Sequence, residues 1–206
     1  SNRSATLIHI ATHGFYEPFK AFEKEGYFSS RFGAAQEDPM TRSGLVMANA
    51  NLSWDDMEKT DYENDGILLA KEIADLNLEN TDLLVLSACE TGLGEESQTE
   101  GVFGLQRAFK LAGVKSILMT LWPVDDRATA ELMKQFYSYL LQGETKHESL
   151  RKAILALKDS NVKIEVDDTS REPVMNPQIG LLEYPKKMKT YRDPEFWAAY
   201  VLMDGF

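Results

Sequence analysis

Three short runs of almost unbroken apolar residues limit what this chain can fold into: ATLIHIAT at 5–12, DLLVLSA at 82–88 and SILMTLW at 116–122. A strand with one wetted face alternates apolar and polar residues. A strand covered on both faces does not, and such runs are characteristic of parallel strands buried between helices. Between the second and third runs, Val102, Leu105, Phe109 and Ala112 recur at helical spacing, and Gly113 follows as a C-terminal stop. The result is a strand, helix, strand unit. A second helix is expected over 126–141, with Leu132, Phe136, Tyr139 and Leu140 on one stripe and Gly143 ending it. Leu150, Ala153, Ile154 and Leu157 mark a third. The fold class that follows is α/β, a mostly parallel sheet with helices on both faces.

The remaining segments are less regular. GLVMA at 44–48 reads as a short strand, and EFWAAYVLM at 195–203 as a turn leading into a last strand. Residues 159–193 carry Pro173, Pro177 and Pro185 among charges and read as a long irregular loop, of a length often given over to function. Phe15, Tyr16, Phe19, Phe22, Tyr27, Phe28 and Phe32 crowd one stretch, which fits a layer covering the core better than a surface gripping a partner.

With 43% apolar and 27% charged residues among 206, the chain fits one globular domain over 1–206. Ser1 and Asn2 read as the scar of a cleaved tag, and a strand starting near Ala5 with no polar lead-in implies part of a longer protein. The 33 acidic residues against 22 basic ones give a formal charge of −11, which repels a phosphate backbone, so no direct nucleic-acid contact is expected. No apolar span of about 20 residues and no signal-peptide pattern is present, which reads as a cytoplasmic chain without membrane contact. One Cys, three His and no HExxH pattern fall short of a metal-ligand set, and no cofactor is expected.

A single cysteine cannot form an internal disulfide, and a lone cysteine with a distant histidine is a known nucleophile pattern. In open α/β sheets ligands bind beyond the carboxyl ends of the strands. The first apolar run leads into Thr12-His13-Gly14 and the second into Ala88-Cys89-Glu90. If those strands are adjacent and parallel, imidazole and thiol emerge at one edge. A thiol with a reference pKa of roughly 8.5 is mostly protonated at neutral pH, and a neighbouring imidazole that takes its proton makes it a nucleophile. Gly14 lacks a β-carbon, so its N–H could approach a developing oxyanion together with the N–H of Cys89. His9, on the same strand, is expected to pack in the core or orient a neighbour. The third run ends in Trp122-Pro123-Val124-Asp125-Asp126. From spacing alone, the favoured reading is structural, with Asp126 capping the next helix and Asp125 complementing its dipole. The functional reading makes Asp126, or Asp125 second, the carboxylate that binds an Arg or Lys side chain, with Trp122 as a pocket wall.

The strings IHIATHG, LLVLSACETGLGE, EGVFGLQRAFKLAGVKSILMTLWPVDDRATAELM and FWAAYVLMDG resemble the CHAT domain, a caspase-like module found with tetratricopeptide repeats and grouped with caspases, gingipains and separases. The resemblance covers most of residues 5–156 and 193–205. It implies a caspase-like fold and a cysteine peptidase in a regulated bacterial pathway that needs no cofactor. The histidine of the THG motif falls on His13, the cysteine of SACETG on Cys89 and the oxyanion glycine on Gly14. An LW-x-V-x-D pattern shared with separases puts the pocket carboxylate at Asp126. Implied partners are a protein or peptide substrate and tetratricopeptide-repeat or other regulatory regions. CHAT domains usually carry further strands and helices ahead of the THG strand, so a chain lacking that N-terminal half should leave a sheet edge and apolar surface uncovered unless a partner covers them. Two other readings stay open on sequence alone: a non-catalytic interaction module with a caspase-like scaffold, and a thiol acyltransferase or amidase using the same two residues.

Overall fold

The computed structural model describes residues 4–16, 39–50, 65–90, 95–167, 170–175 and 181–204. The chain forms two compact units, one of residues 1–123 with 199–206 and one of residues 124–198.

The first unit is built on a six-stranded sheet. In chain order its strands are β1 (Leu7–Tyr16), β2 (Ser43–Val46), β3 (Ile67–Leu69), β4 (Leu83–Glu90), β5 (Ser116–Thr120) and, after residues of the second unit, β10 (Tyr200–Asp204). The spatial order is β10-β5-β4-β1-β2-β3. Its centre is parallel as expected, with β5 beside β4 and β4 beside β1, and antiparallel strands extend it on both sides. The three apolar runs are these central strands. All five residues of β5 are buried, as are Leu83, Leu84, Val85 and Leu86 of β4.

Helix α1 (Ala70–Ala74) and helix α2 (Glu95–Leu111) supply the apolar side chains that meet one face of this sheet. Ala70, Ile73, Leu105, Ala108 and Phe109 join Leu84, Leu86, Ile117 and Met119 in one buried cluster, with Ile8 and Ile10 packed at its margin. Each fully buried Leu or Ile here contributes roughly 1.5–3 kcal/mol. Gly104, a weak helix former inside α2, marks the closest approach: a β-carbon there would lie 2.6 Å from Ser43 Oγ. Phe15 and Tyr16 are buried at the end of β1, consistent with a covering role, and the Arg42 guanidinium lies 5.4 Å from the Tyr16 ring centre. The other aromatics of that stretch, Phe19 to Phe32, lie outside the described residues.

The flank of β1 opposite β4 pairs with β2 only from Gly14 to Tyr16. Leu7, His9, Ala11 and His13 alternate as exposed residues along β1, while Ile8, Ile10 and Thr12 between them are more covered. His9 therefore does not pack in the core as expected.

The second unit contains α3 (Asp126–Leu141) and α4 (Lys146–Asp159), two helices joined by a short turn through Gly143. Ala128, Leu132, Met133 and Phe136 of α3 and Leu150, Ala153 and Leu157 of α4 are buried. Met133 takes the place in the stripe expected of Tyr139 and Leu140, which are half-buried. Within the loop expected over 159–193, described residues form two short antiparallel ribbons. Strand β6 (Lys163–Asp167) pairs antiparallel with β9 (Lys186–Thr190), and β7 (Val174–Met175) with β8 (Leu182–Glu183). KIEVD alternates with period two, with Ile164 buried between exposed Lys163 and Glu165, and Asp167 forms an ion pair with its register partner Lys186. Among the described residues no helix is long and apolar enough to cross a membrane.

Candidate active site

Strands β1 and β4 run parallel in a ladder from Leu7↔Leu83 to Gly14↔Glu90, and in that register His13 pairs with Cys89. Neighbouring strands lie about 4.8 Å apart in the hydrogen-bonding direction. The two residues thus occupy adjacent positions one step before the ladder ends. Because a one-residue slip would move every side chain to the other face, the alternation along β1 of exposed Leu7, His9, Ala11 and His13 with more covered Ile8, Ile10 and Thr12 holds this register. His13 is exposed. Residues 91–94, which follow Cys89 and Glu90, lie outside the described residues.

Gly14 is buried and sits at the junction of two ladders, opposite Glu90 on β4 and Leu45 on β2. The strand continues to Tyr16 because β2 takes over as partner just where β4 stops. His9 lies two alternations before His13 on the same exposed face. Desolvation holds its imidazole below the usual 6.5, favouring the neutral ring.

Trp122 follows β5 and is exposed. The acidic pair divides its duties within the second unit. Asp125 is the N-cap of α3, its Oδ1 accepting from the N–H groups of Arg127 and Ala128 at 3.0 Å each. Asp126 is the first helical residue and is exposed, with no capping bond of its own. The two helix-terminus roles are thus the reverse of those expected: Asp125 is the cap, because it sits one residue before the helix with its Oδ1 facing the free N–H groups, and Asp126 lies beside the positive end of the dipole.

One feature next to His13 carries no sequence motif. Past Val46 the chain turns: Met47 N–H donates to the Gly66 carbonyl at 2.6 Å, Ala50 N–H donates to the Met47 carbonyl at 3.3 Å, and Asn49 takes a positive φ of 75°. Thr12 Oγ1 donates to the Val46 carbonyl and ties β1 to the start of this turn. Between the turn and β1 lies a cleft of about 910 Å³, lined by residues 9–13 and 46–50. The one available hint was Asn49, a residue type that tolerates the left-handed region.

A family profile described as the CHAT domain matches residues 1–204. The chain belongs to the CHAT family. Two curated relatives are similar to part of this CHAT chain, both called Tetratricopeptide repeat protein 28. The protein from Mus musculus is 35% identical over 94 residues, which is 46% of this chain and 4% of that protein. The protein from Homo sapiens is 33% identical over 94 residues, again 46% of this chain and 4% of the relative. The match therefore spans only a small part of either relative's length. The CHAT family is caspase-like and related to peptidases, and its association with tetratricopeptide repeats is mirrored in the names of both relatives.

Proposed function

We propose that this chain is a cysteine endopeptidase in which His13 and Cys89 form the catalytic dyad within a single CHAT domain. The observation that carries the reading is the register pairing of His13 with Cys89 on adjacent parallel strands. Cys89 gives its proton to His13 and its sulfur attacks the peptide carbonyl. The tetrahedral oxyanion is held by the N–H groups of Gly14 and Cys89. Collapse breaks the C–N bond, His13 passes the proton to the departing amine, and the thioester on Cys89 is then hydrolysed by water that His13 deprotonates. Loss of one oxyanion donor costs other enzymes roughly 3 kcal/mol of transition-state stabilisation.

Asp126 is the residue that selects Arg or Lys before the scissile bond, with Trp122 forming a pocket wall. The capping bonds of Asp125 favour Asp126 over it for that task. Substrates are selected proteins of a regulated bacterial pathway in the cytoplasm, with tetratricopeptide-repeat regions of the same protein or complex as regulatory partners. The test is cleavage of a peptide library by the wild type and by Cys89→Ala, in the full-length protein with its partners. Cleavage after Arg or Lys by the wild type alone is expected. Equal cleavage by both overturns the peptidase reading, and cleavage after acidic or apolar residues overturns the role of Asp126.

A further inference from the structure

The cleft beside His13 has a direction set by the sheet. Across this end of the sheet the strands follow in the order β5, β4, β1, β2, so Cys89 comes first, His13 next, and the 47–50 turn beyond it. In the reaction proposed above the carbonyl carbon bonds to the Cys89 sulfur, while the amine nitrogen receives its proton from His13. The acyl half of the substrate is then held toward Cys89 and the amine half toward His13. On the His13 side the surface opens directly into the cleft.

We infer that this cleft binds the substrate residues that follow the scissile bond, and that Met47 selects among them. The inference rests on the peptidase reading and adds to it a site for the leaving half of the substrate. From His13 back to His9 the cleft runs about 13 Å along β1, the length of about four extended residues. A leaving segment that starts at His13 and follows it runs antiparallel to β1. The Thr12 to Val46 hydrogen bond ties the two sides together near His13, on the more covered face of β1.

The lining also defines what the cleft accepts. Residues 9–13 and 46–50 include no Asp, Glu, Lys or Arg, and Ile10, Ala11, Val46, Met47, Ala48 and Ala50 make most of the wall apolar. Burying a charged side chain against such a wall without a partner is costly. The site therefore suits uncharged, mainly aliphatic residues after the scissile bond. Met47 is 44% exposed, so its side chain is within reach of a bound peptide, and a charged replacement there creates no buried charge. The turn that presents it is held by the Met47–Gly66 and Ala50–Met47 backbone bonds, which do not depend on the Met47 side chain.

The experiment compares wild type, Met47→Lys and Met47→Glu on a proteome-derived peptide library, with product termini read by mass spectrometry and Cys89→Ala as control. Wild type is expected to favour uncharged residues at the first few positions after the cut. Met47→Lys should enrich Asp and Glu there roughly fivefold, and Met47→Glu should enrich Lys and Arg to a similar extent, the range of an exposed ion pair. Preferences before the cut should stay the same in all three. Circular dichroism melts of the three proteins should coincide, which shows that the variants are folded. Unchanged preferences after the cut in both variants, or changes only before it, overturn the cleft assignment while leaving the peptidase reading intact. Cleavage equal to that of Cys89→Ala, or none by the wild type, overturns the peptidase reading and the cleft assignment with it.

Discussion

Gly66 offers a quantitative test of how the turn beside the cleft is built. Its φ is 75°, and a β-carbon added there would lie 2.4 Å from the Ala48 carbonyl oxygen, 2.4 Å from the Ala50 nitrogen and 2.9 Å from Ala50 Cα. All three are backbone atoms, so no side chain can rotate away. Gly143 has a similar φ of 91° with nothing within 4 Å of the same added carbon. The pair separates two costs. Forcing an L-residue into the left-handed region costs about 1–2 kcal/mol, partly offset by about 0.4–1 kcal/mol from stiffening the unfolded chain. Gly143→Ala should therefore lose about 1 kcal/mol. Gly66→Ala adds a backbone displacement worth about 1–3 kcal/mol more, for a total near 3 kcal/mol. For a chain of this size these figures correspond to drops of about 2–4 °C and about 6–12 °C in the thermal midpoint. Circular dichroism melts of the two Ala variants and the two Asn variants provide the assay. Asn tolerates positive φ, so Gly143→Asn should melt close to wild type, while Gly66→Asn should remain as damaged as Gly66→Ala because its β-carbon meets the same atoms. Equal shifts at the two glycines, or recovery of Gly66 by Asn, would refute the steric reasoning.

Other outcomes follow from the same structure. Phe136 is fully buried in α3, and Phe136→Ala should cost about 3–5 kcal/mol, read as a lowered urea midpoint. Asp125→Ala should lose about 1 kcal/mol with its cap yet keep any preference for basic residues. Asp126→Asn should change stability by less than about 1 kcal/mol and abolish that preference, as a peptide library would report. His9 has a folded-state pKa below its unfolded value, so the unfolded chain binds the proton more readily. Its contribution to stability is present above pH 6.5 and is lost as pH falls through the lowered folded value. His9→Gln should flatten the stability profile as pH falls below 6.5, and an unchanged slope would contradict the assignment.

The parts of the fold that were legible are those whose burial writes a period into the chain. The central strands showed as apolar runs because both faces of β4 and β5 are covered, and α3 matched its expected bounds because Asp125 can cap it and Gly143 can end it. The ribbons in 159–193 were hidden because KIEVD and KKMKT are charged surface strands with few buried residues, and their pairing depends on cross-strand partners far apart in sequence. Gly14 read as the end of a strand, yet β1 runs on to Tyr16 because a second partner takes over there. At the site, motifs and strand order brought His13 and Cys89 to neighbouring strands. Their register is a property of the assembled sheet, and only the structure could state it. The 47–50 turn has no signature because its conformation depends on Gly66, far along the chain, and its importance depends on lying beside His13.

Because Cys89 is the only cysteine, alkylation by iodoacetamide, followed by mass spectrometry, reads that thiol alone. An unassisted thiol is only a few per cent ionised at pH 7, so an imidazole that takes its proton should raise the rate roughly tenfold or more. The measurement is that rate at pH 7 in wild type and in His13→Ala, with His9→Gln as a control on the same strand. A fall of about tenfold in His13→Ala, with His9→Gln near wild type, is the predicted result. Equal rates in wild type and His13→Ala would contradict the pairing of His13 with Cys89 as a catalytic dyad.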